Sequence, residues 1–291
     1  MARVLLDCEP ICGRPWRISL ADQAWEREEV FRLRYEVFNR EQGYGAGSPA
    51  DGGAGSAAAA ASAAANDSSG PGRDADSFDE WCEHLMLRDE ARGELIGTYR
   101  LIPGPSAVRH GGFYSGTEFD LSPMDRIAPE VLEIGRTCVA PQYRNGLAMQ
   151  FLWYGLELVL KSEGYRYLLG CGSFSADTPD ELNRVYSWSR RHAADPEFFC
   201  PALPRCAVPD LREVETSAED EKLLPPLIQH YLKLGSSICS PPAWDPDFRT
   251  YDFLILFRRN QTSEYCAAFL SRMERQLRVM SRRLAGAFAG A

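Results

Sequence analysis

No stretch of this chain approaches the roughly 20 consecutive apolar residues that a bilayer-crossing helix needs, so an integral membrane protein is not expected. The N-terminal MARVLLDCEPICGRPWR also lacks a signal peptide's apolar core, because Asp7, Glu9 and two prolines interrupt it. Cys-x-x-Cys pairs are missing as well. Nine cysteines lie singly along the chain, which argues against a disulfide framework or a structural zinc site and suits a reducing compartment. Cys138 and Cys171 read as small core residues inside strands. Positive charge is in deficit, with 32 Lys and Arg against 41 Asp and Glu, and the net −9 discourages non-specific nucleic-acid binding. These absences predict a cytoplasmic protein. Its 291 residues, 45% of them apolar, suffice for one large domain or two small ones.

The most informative stretch is Val131 to Ala148, VLEIGRTCVAPQYRNGLA. An apolar, β-prone half, a Pro and Asn-Gly turn, and the start of an apolar-periodic helix predict strand, loop, helix. N–H groups at a helix start attract an anion, Gly146 lets it approach the backbone, and Arg144 adds a full charge. The loop residues Val139, Arg144, Asn145, Gly146 and Ala148 are therefore a candidate phosphate cradle. The same pattern also arises with no ligand in any α/β protein.

Upstream, a strand is expected from Trp16 and an amphipathic helix from Gln23 to about Phe38, on which Arg34 and Phe38 lie one turn apart. Residues 46–75 collapse to Ala, Gly and Ser, a composition expected of a mobile insertion. Asp76 and Asp79 follow in DADSFDEWCEHL, one helical turn apart: either a seat for a cationic side chain or a helix cap with a buried ion pair. A hairpin across 91–93 comes next, then an extended segment or short strand from Phe113 to Leu121. The helix to Glu163 carries Phe151, Leu152, Leu156, Val159 and Leu160 as a core stripe and stops at Gly164. Further expectations are a buried strand from Tyr167, a helix over 179–192, an apolar-periodic stretch over 223–234, and a last strand over 252–257. Trp244 and Phe248 are candidates to line an apolar tunnel or to join the core. From Arg258 onward seven Arg face two Glu, giving a basic helix over 261–291 that suits an anionic membrane surface or an acidic partner, or is simply solvated.

EIGRTCVAPQYRNG and LPPLIQHYLKLGSSICSPPAWDPDF resemble the ornithine-lipid acyltransferases, the hemolysin-like branch of the GNAT acyltransferases, which are related to the acyl-homoserine lactone synthases. The resemblance implies an α/β GNAT fold: a mixed central sheet with two splayed parallel strands, flanked by helices, plus the basic C-terminal helix. Residues 1–45 and 76–260 would form the GNAT domain around the 46–75 insertion. It further implies transfer of a fatty, often 3-hydroxylated, acyl group from acyl carrier protein to the α-amine of ornithine. The donor would be the carrier's acyl-phosphopantetheine; coenzyme A is weakened as a donor by Tyr143 standing where many GNAT loops have Arg or Gln. RYEVFNREQGY is similar to the lactone synthase motif whose Arg and Phe, here Arg34 and Phe38, face the reaction cleft. Asp76, Asp79, His84, Arg100 and Trp244 fall on acceptor-binding or acyl-lining positions. Glu133 and Arg136 reproduce that family's E-x-x-R, with Glu133 expected to accept the amine proton. Residues three apart on a strand point to opposite faces, so both reach one cleft only through a bulge, which Gly135 favours. Two alternatives stay open: another amino acid or lactone-type acceptor, and a non-catalytic acyl-binding or membrane-active protein.

Overall fold

A computed structural model describes residues 3–11, 14–42 and 72–275, with side chains from 3–6, 15–42 and 72–275. Most of the 46–75 insertion and residues 276–291 of the basic tail lie outside the described residues. In chain order the strands are β1 (Arg3–Ile11), β2 (Arg14–Leu20), β3 (Glu83–Asp89), β4 (Glu94–Pro103), β5 (Val131–Val139), β6 (Tyr167–Phe174), β7 (Ser237–Ile238), β8 (Ala243–Asp245) and β9 (Thr250–Arg258). The α-helices are α1 (Ala24–Arg34), α2 (Gly104–His110), α3 (Leu147–Glu163), α4 (Pro179–His192), α5 (Pro226–Leu234) and α6 (264–275). Two compact units result: Met1–Leu101, Gly135–Glu163 and Leu270–Ala291 form the first, Ile102–Ile134 and Gly164–Phe269 the second.

In unit 1 the strands run in the order β1, β2, β3, β4, with β5 next. The first three pairings are antiparallel; Ile18 stands opposite Leu87 and His84 opposite Arg100. β1 has no counterpart in the sequence reading. Among the described residues it pairs with β2, at the end of the strand order, where Pro10 is tolerated because only one side of the strand needs ladder bonds. Helix α3 packs across β1, β2 and β3, and Gly155 permits the close approach: a Cβ there would lie 2.9 Å from Ile18 and 3.1 Å from Leu85. Its predicted stripe, Phe151, Leu152, Leu156, Val159 and Leu160, is buried, and Gly164 follows it at φ 78°. Glu26 ties down the start of α1 by accepting N–H bonds from Asp22 and Gln23. Beyond Arg34 the expected helix continues as a π-helical turn, Tyr35–Glu41.

Unit 2 is built on β6 and β9, antiparallel along their whole length from Tyr167–Arg258 to Phe174–Tyr251. β7 and β8 add short antiparallel pairs to β9. On the other side of β6, β5 is parallel for three residues only: Val131–Tyr167, Leu132–Leu168 and Glu133–Leu169. Both strands run on past that point, so the ladder ends at Glu133. One apolar cluster gathers Phe119, Val131, Leu169, Phe198, Leu254 and Leu256; a second joins Phe174, Trp188 on α4, Ile228 on α5 and Phe253. Thr178 caps α4, accepting from the Glu181 N–H. The segment Phe113–Leu121 is not a strand. A 3-10 turn over Tyr114–Thr117 replaces the expected extended run, leaving one bridge, Phe119 to Ala202.

Candidate active site

Unit 1 holds a buried ion-pair cluster assembled from four parts of its sequence. Arg34, at the end of α1, is wholly inaccessible; Nη1 and Nη2 bind both oxygens of Asp79 at 2.8 and 3.1 Å, and Nε reaches Asp74 at 2.8 Å. Arg100 on β4 binds Asp76 at 2.6 Å, and Arg136 on β5 stands 3.4 Å from Asp76 and 3.6 Å from Asp74. Three arginines thus meet three aspartates. The 3-10 turn Ser77–Glu80 presents the acids: Asp76 caps it by accepting from the Phe78 N–H, and Asp79 accepts from the Asp76 N–H. Of the two readings of this pair, the cap and ion pair are present in the geometry. Burial pushes the Asp79 carboxyl up, but Arg34 and Arg100 outweigh it and hold the group well below the usual carboxylate range.

His84 lies inside this cluster, with Nε2 3.7 Å from Asp79, 3.6 Å from the Cys82 thiol, and Phe31 edge-on. Burial, reinforced by Arg34 and Arg100 against the pull of Asp79, pushes it down to about 3, so the imidazole is neutral. Asp79, Cys82 and His84 bring ligand atoms within 4.8 Å of one another, but two guanidinium groups already occupy Asp79 and oppose a further cation. Phe38 is half-buried in the π-helical turn. The backbone irregularity expected at Gly135 falls one residue later: Arg136 itself adopts φ 46°. A left-handed residue in mid-strand turns the side chain out of the alternation and directs its guanidinium to Asp74 and Asp76.

The loop after β5 lies in the same unit. Gly146 has φ 83° with open space where a Cβ would stand, and the Asn145 side chain caps α3 by accepting from the Leu147 N–H. Val139 and Ala148 are buried beneath the loop. Arg144 donates from Nε to the Val139 carbonyl at 2.9 Å and forms a bidentate, exposed pair with Glu41. Tyr143 is buried and donates to Glu94 at 3.0 Å.

Glu133 lies in unit 2, at the last rung of the β5–β6 ladder, and is only 2% exposed. Its Oε2 accepts from the Tyr114 N–H at 2.6 Å; Oε1 accepts from the Ser115 N–H at 2.7 Å and from the Ser115 hydroxyl. Cys171, Glu118 and Asp252 converge beside it, their ligand atoms within 4.8 Å of one another, and burial followed by the two carboxylates pushes the thiol well up. Trp244 on β8 is 36% exposed and edge-on to Tyr251, on the surface rather than in the core. Sequence reasoning missed Asp74, Tyr114 and Ser115. Asp74 adjoins the recognised acids and carried a signal; the amide donors carried none, since any residue supplies an N–H.

A protein from Rhodobacter capsulatus, an L-ornithine N(alpha)-acyltransferase, is 31% identical to this chain over 264 residues, covering 88% of the chain and 95% of that protein. The chain belongs to the L-ornithine N(alpha)-acyltransferase family. A Rhizobium meliloti member is 34% identical over 195 residues, 63% of this chain and 66% of its own length. The model of the acetyltransferase (GNAT) domain matches residues 59–154. Among solved structures, the N-acyl amino acid synthase FeeM from uncultured soil microbes is 12% identical, with a TM-score of 0.44 over 87% of this chain and 97% of that one. Family membership makes the chain an acyltransferase of the GNAT class, and a mixed sheet flanked by helices is the expected fold. Among the described residues no helix is long and apolar enough to cross a membrane.

Proposed function

We propose that this acyltransferase moves a fatty acyl group, 3-hydroxylated or not, from the phosphopantetheine of an acyl carrier protein to the α-amine of ornithine, giving a lyso-ornithine lipid. The observation that carries this reading is the Glu133 carboxylate at the point where β5 and β6 stop pairing. Glu133 takes a proton from the α-ammonium, the freed nitrogen attacks the thioester carbonyl, the C–N bond forms and the C–S bond breaks. The nitrogen then gives up its second proton as the amide forms; of the two protons released, one goes to the departing carrier thiolate and the other passes from Glu133 to solvent. The α-nitrogen is the easier nucleophile: reference values of about 7.7 to 8.0 against about 10.4 for a lysine-like amine differ by roughly 2.5 units, or at most about 3.4 kcal/mol.

For the donor phosphate, the Val139–Ala148 loop supplies a glycine-opened helix start and Arg144, whose exposed pair with Glu41 is weak enough to exchange. The buried Tyr143 brings no positive charge, which favours the single phosphate of a carrier protein over coenzyme A. Arg258 itself is buried on β9 and paired with Asp195, but the six arginines that follow it, against two Glu, offer the carrier, or an anionic membrane face, a basic contact.

One observation favours a second acceptor class. The carboxylates that the resemblance offers for ornithine's side-chain ammonium, Asp76 and Asp79, are matched by arginines of the chain, leaving unit 1's cluster without surplus negative charge. An acceptor lacking a second ammonium would then serve equally. Mass spectrometry of lipid extracts from cells expressing the protein tests both readings. A new amine-positive lipid carrying ornithine supports the first and one carrying another amino acid the second; no new lipid would contradict acyl transfer itself.

A further inference from the structure

Glu133 is oriented by a short turn whose other contacts reach across β6. Ser115 is wholly buried and presents both its amide and its hydroxyl to the same carboxylate oxygen, Oε1. A carboxylate oxygen offers about two lone-pair sites, so Ser115 occupies both on that atom. The serine's carbonyl accepts from the N–H groups of Glu118 at 3.1 Å and Phe119 at 2.9 Å, and Thr117 donates its hydroxyl to the Tyr114 carbonyl at 2.7 Å. The turn is closed on itself and presents its donors in a fixed direction.

Hydroxyl direction is set from the other side. Cys171 on β6 places its Sγ 3.5 Å from the Ser115 oxygen, nearer than the 4.0 Å to Glu118 Oε1, so the serine is the better placed acceptor of its single proton. Because burial, with Glu118 and Asp252 beside it, keeps this group a thiol, it has a proton to donate, and the serine's own proton is directed to Glu133. Within unit 2 the titratable and charged groups facing this arrangement include Glu118 on the same segment, Cys171 on β6, Asp252 on β9, and Arg205 and Cys206, which both reach the Thr117 carbonyl.

We infer that Ser115 is a positioning residue for acyl transfer: fed by the Cys171 thiol, it holds Oε1 of Glu133 with two donors and so fixes the direction of the carboxylate that takes the acceptor's proton. This rests on Glu133 acting as the base, and the experiment separates the two claims. The pH dependence of kcat/KM is measured for wild type, Ser115→Ala, Ser115→Cys and Glu133→Gln with an acyl carrier protein donor and the acceptor amino acid.

Alanine at 115 keeps both amide donors and removes one charge-assisted bond to the carboxylate, so the base binds its proton more tightly. The acid limb should move up by about one pH unit, with kcat at neutral pH down about tenfold and acceptor KM within about twofold. Ser115→Cys, a weaker donor, should fall between, and it decides by the same criterion if the alanine variant is insoluble. A wild-type acid limb in the Ser115 variants, with Glu133→Gln inactive, overturns the positioning role and leaves the base standing. Lower turnover with an unmoved limb overturns it too, as a purely structural effect. Near-normal turnover in Glu133→Gln removes the base, and the role of Ser115 with it.

Discussion

Carboxylates are buried in both units, but different partners hold them. In unit 1 Asp74, Asp76 and Asp79 are gripped by the guanidinium groups of Arg34, Arg100 and Arg136; in unit 2 amide N–H and hydroxyl donors of a single turn hold Glu133. The difference separates two jobs. A carboxylate clamped by full positive charges is driven far from protonation and serves as a brace. One held by the N–H and O–H donors of a turn is fixed in direction by groups that carry no full charge, and the proton it accepts must compete with those bonds.

The brace predicts the largest effect on folding. Asp79→Ala leaves Arg34 and Arg100 confronting one another in a buried site and should cost about 3–5 kcal/mol in urea unfolding, whereas Glu133→Gln should cost about 1–2 kcal/mol. Equal costs would erase the distinction. If Asp79 is only a brace, the milder Asp79→Asn should raise KM for ornithine and for glycine alike. A rise confined to ornithine would return Asp79 to the acceptor site.

Acid sensitivity sharpens the contrast. His84, pushed down to about 3 in the folded chain from an ordinary 6.5, refuses a proton that the unfolded chain accepts. Stability should therefore fall as pH drops from about 6.5 toward 3, by up to about 1.4 kcal/mol per pH unit. Asp79 adds to the loss only lower, since its depressed carboxyl contributes above the ordinary value of 3.8 and loses that contribution as pH falls through its folded value. His84→Gln should flatten the slope between pH 4 and 6.5, leaving the smaller contribution of the half-buried His230; an unchanged slope would show that His84 is not the group responsible. The smallest effect belongs to the phosphate loop. Glu41→Gln releases Arg144 and should lower KM for the acyl carrier protein by no more than about fivefold, an effect that added salt erases.

Much of the scaffold was legible in the residues because burial imposes a period. The strand, loop and helix order from β5 into α3, the bounds of α4 and the buried stripe of α3 follow from apolar spacing and from Pro and Gly signals. Strand β1 was not legible, because an edge position tolerates the proline that argues against a strand. Phe113–Leu121 alternates like a strand, yet the Tyr114 and Ser115 amides are claimed by Glu133, a partner 18 or 19 residues away that no local pattern reveals. The kink at Arg136 was read onto Gly135 because glycine is the residue that usually adopts positive φ; here ion pairs to Asp74 and Asp76 hold an arginine there. Arg34, Phe38, Asp76, Asp79, His84 and Arg100 were picked out through resemblance. Sequence spacing could not tell that, Phe38 apart, they form one charge-balanced cluster.

The central claim is that the carboxylate held by neutral donors performs the proton transfer while the one held by arginines does not. Single-turnover acylation of the amino acid by purified Glu133→Gln, compared with wild type of matched unfolding midpoint, addresses it most directly. A drop of about 10²- to 10⁴-fold with acyl-carrier binding preserved is the predicted result; turnover within a few-fold of wild type would contradict it.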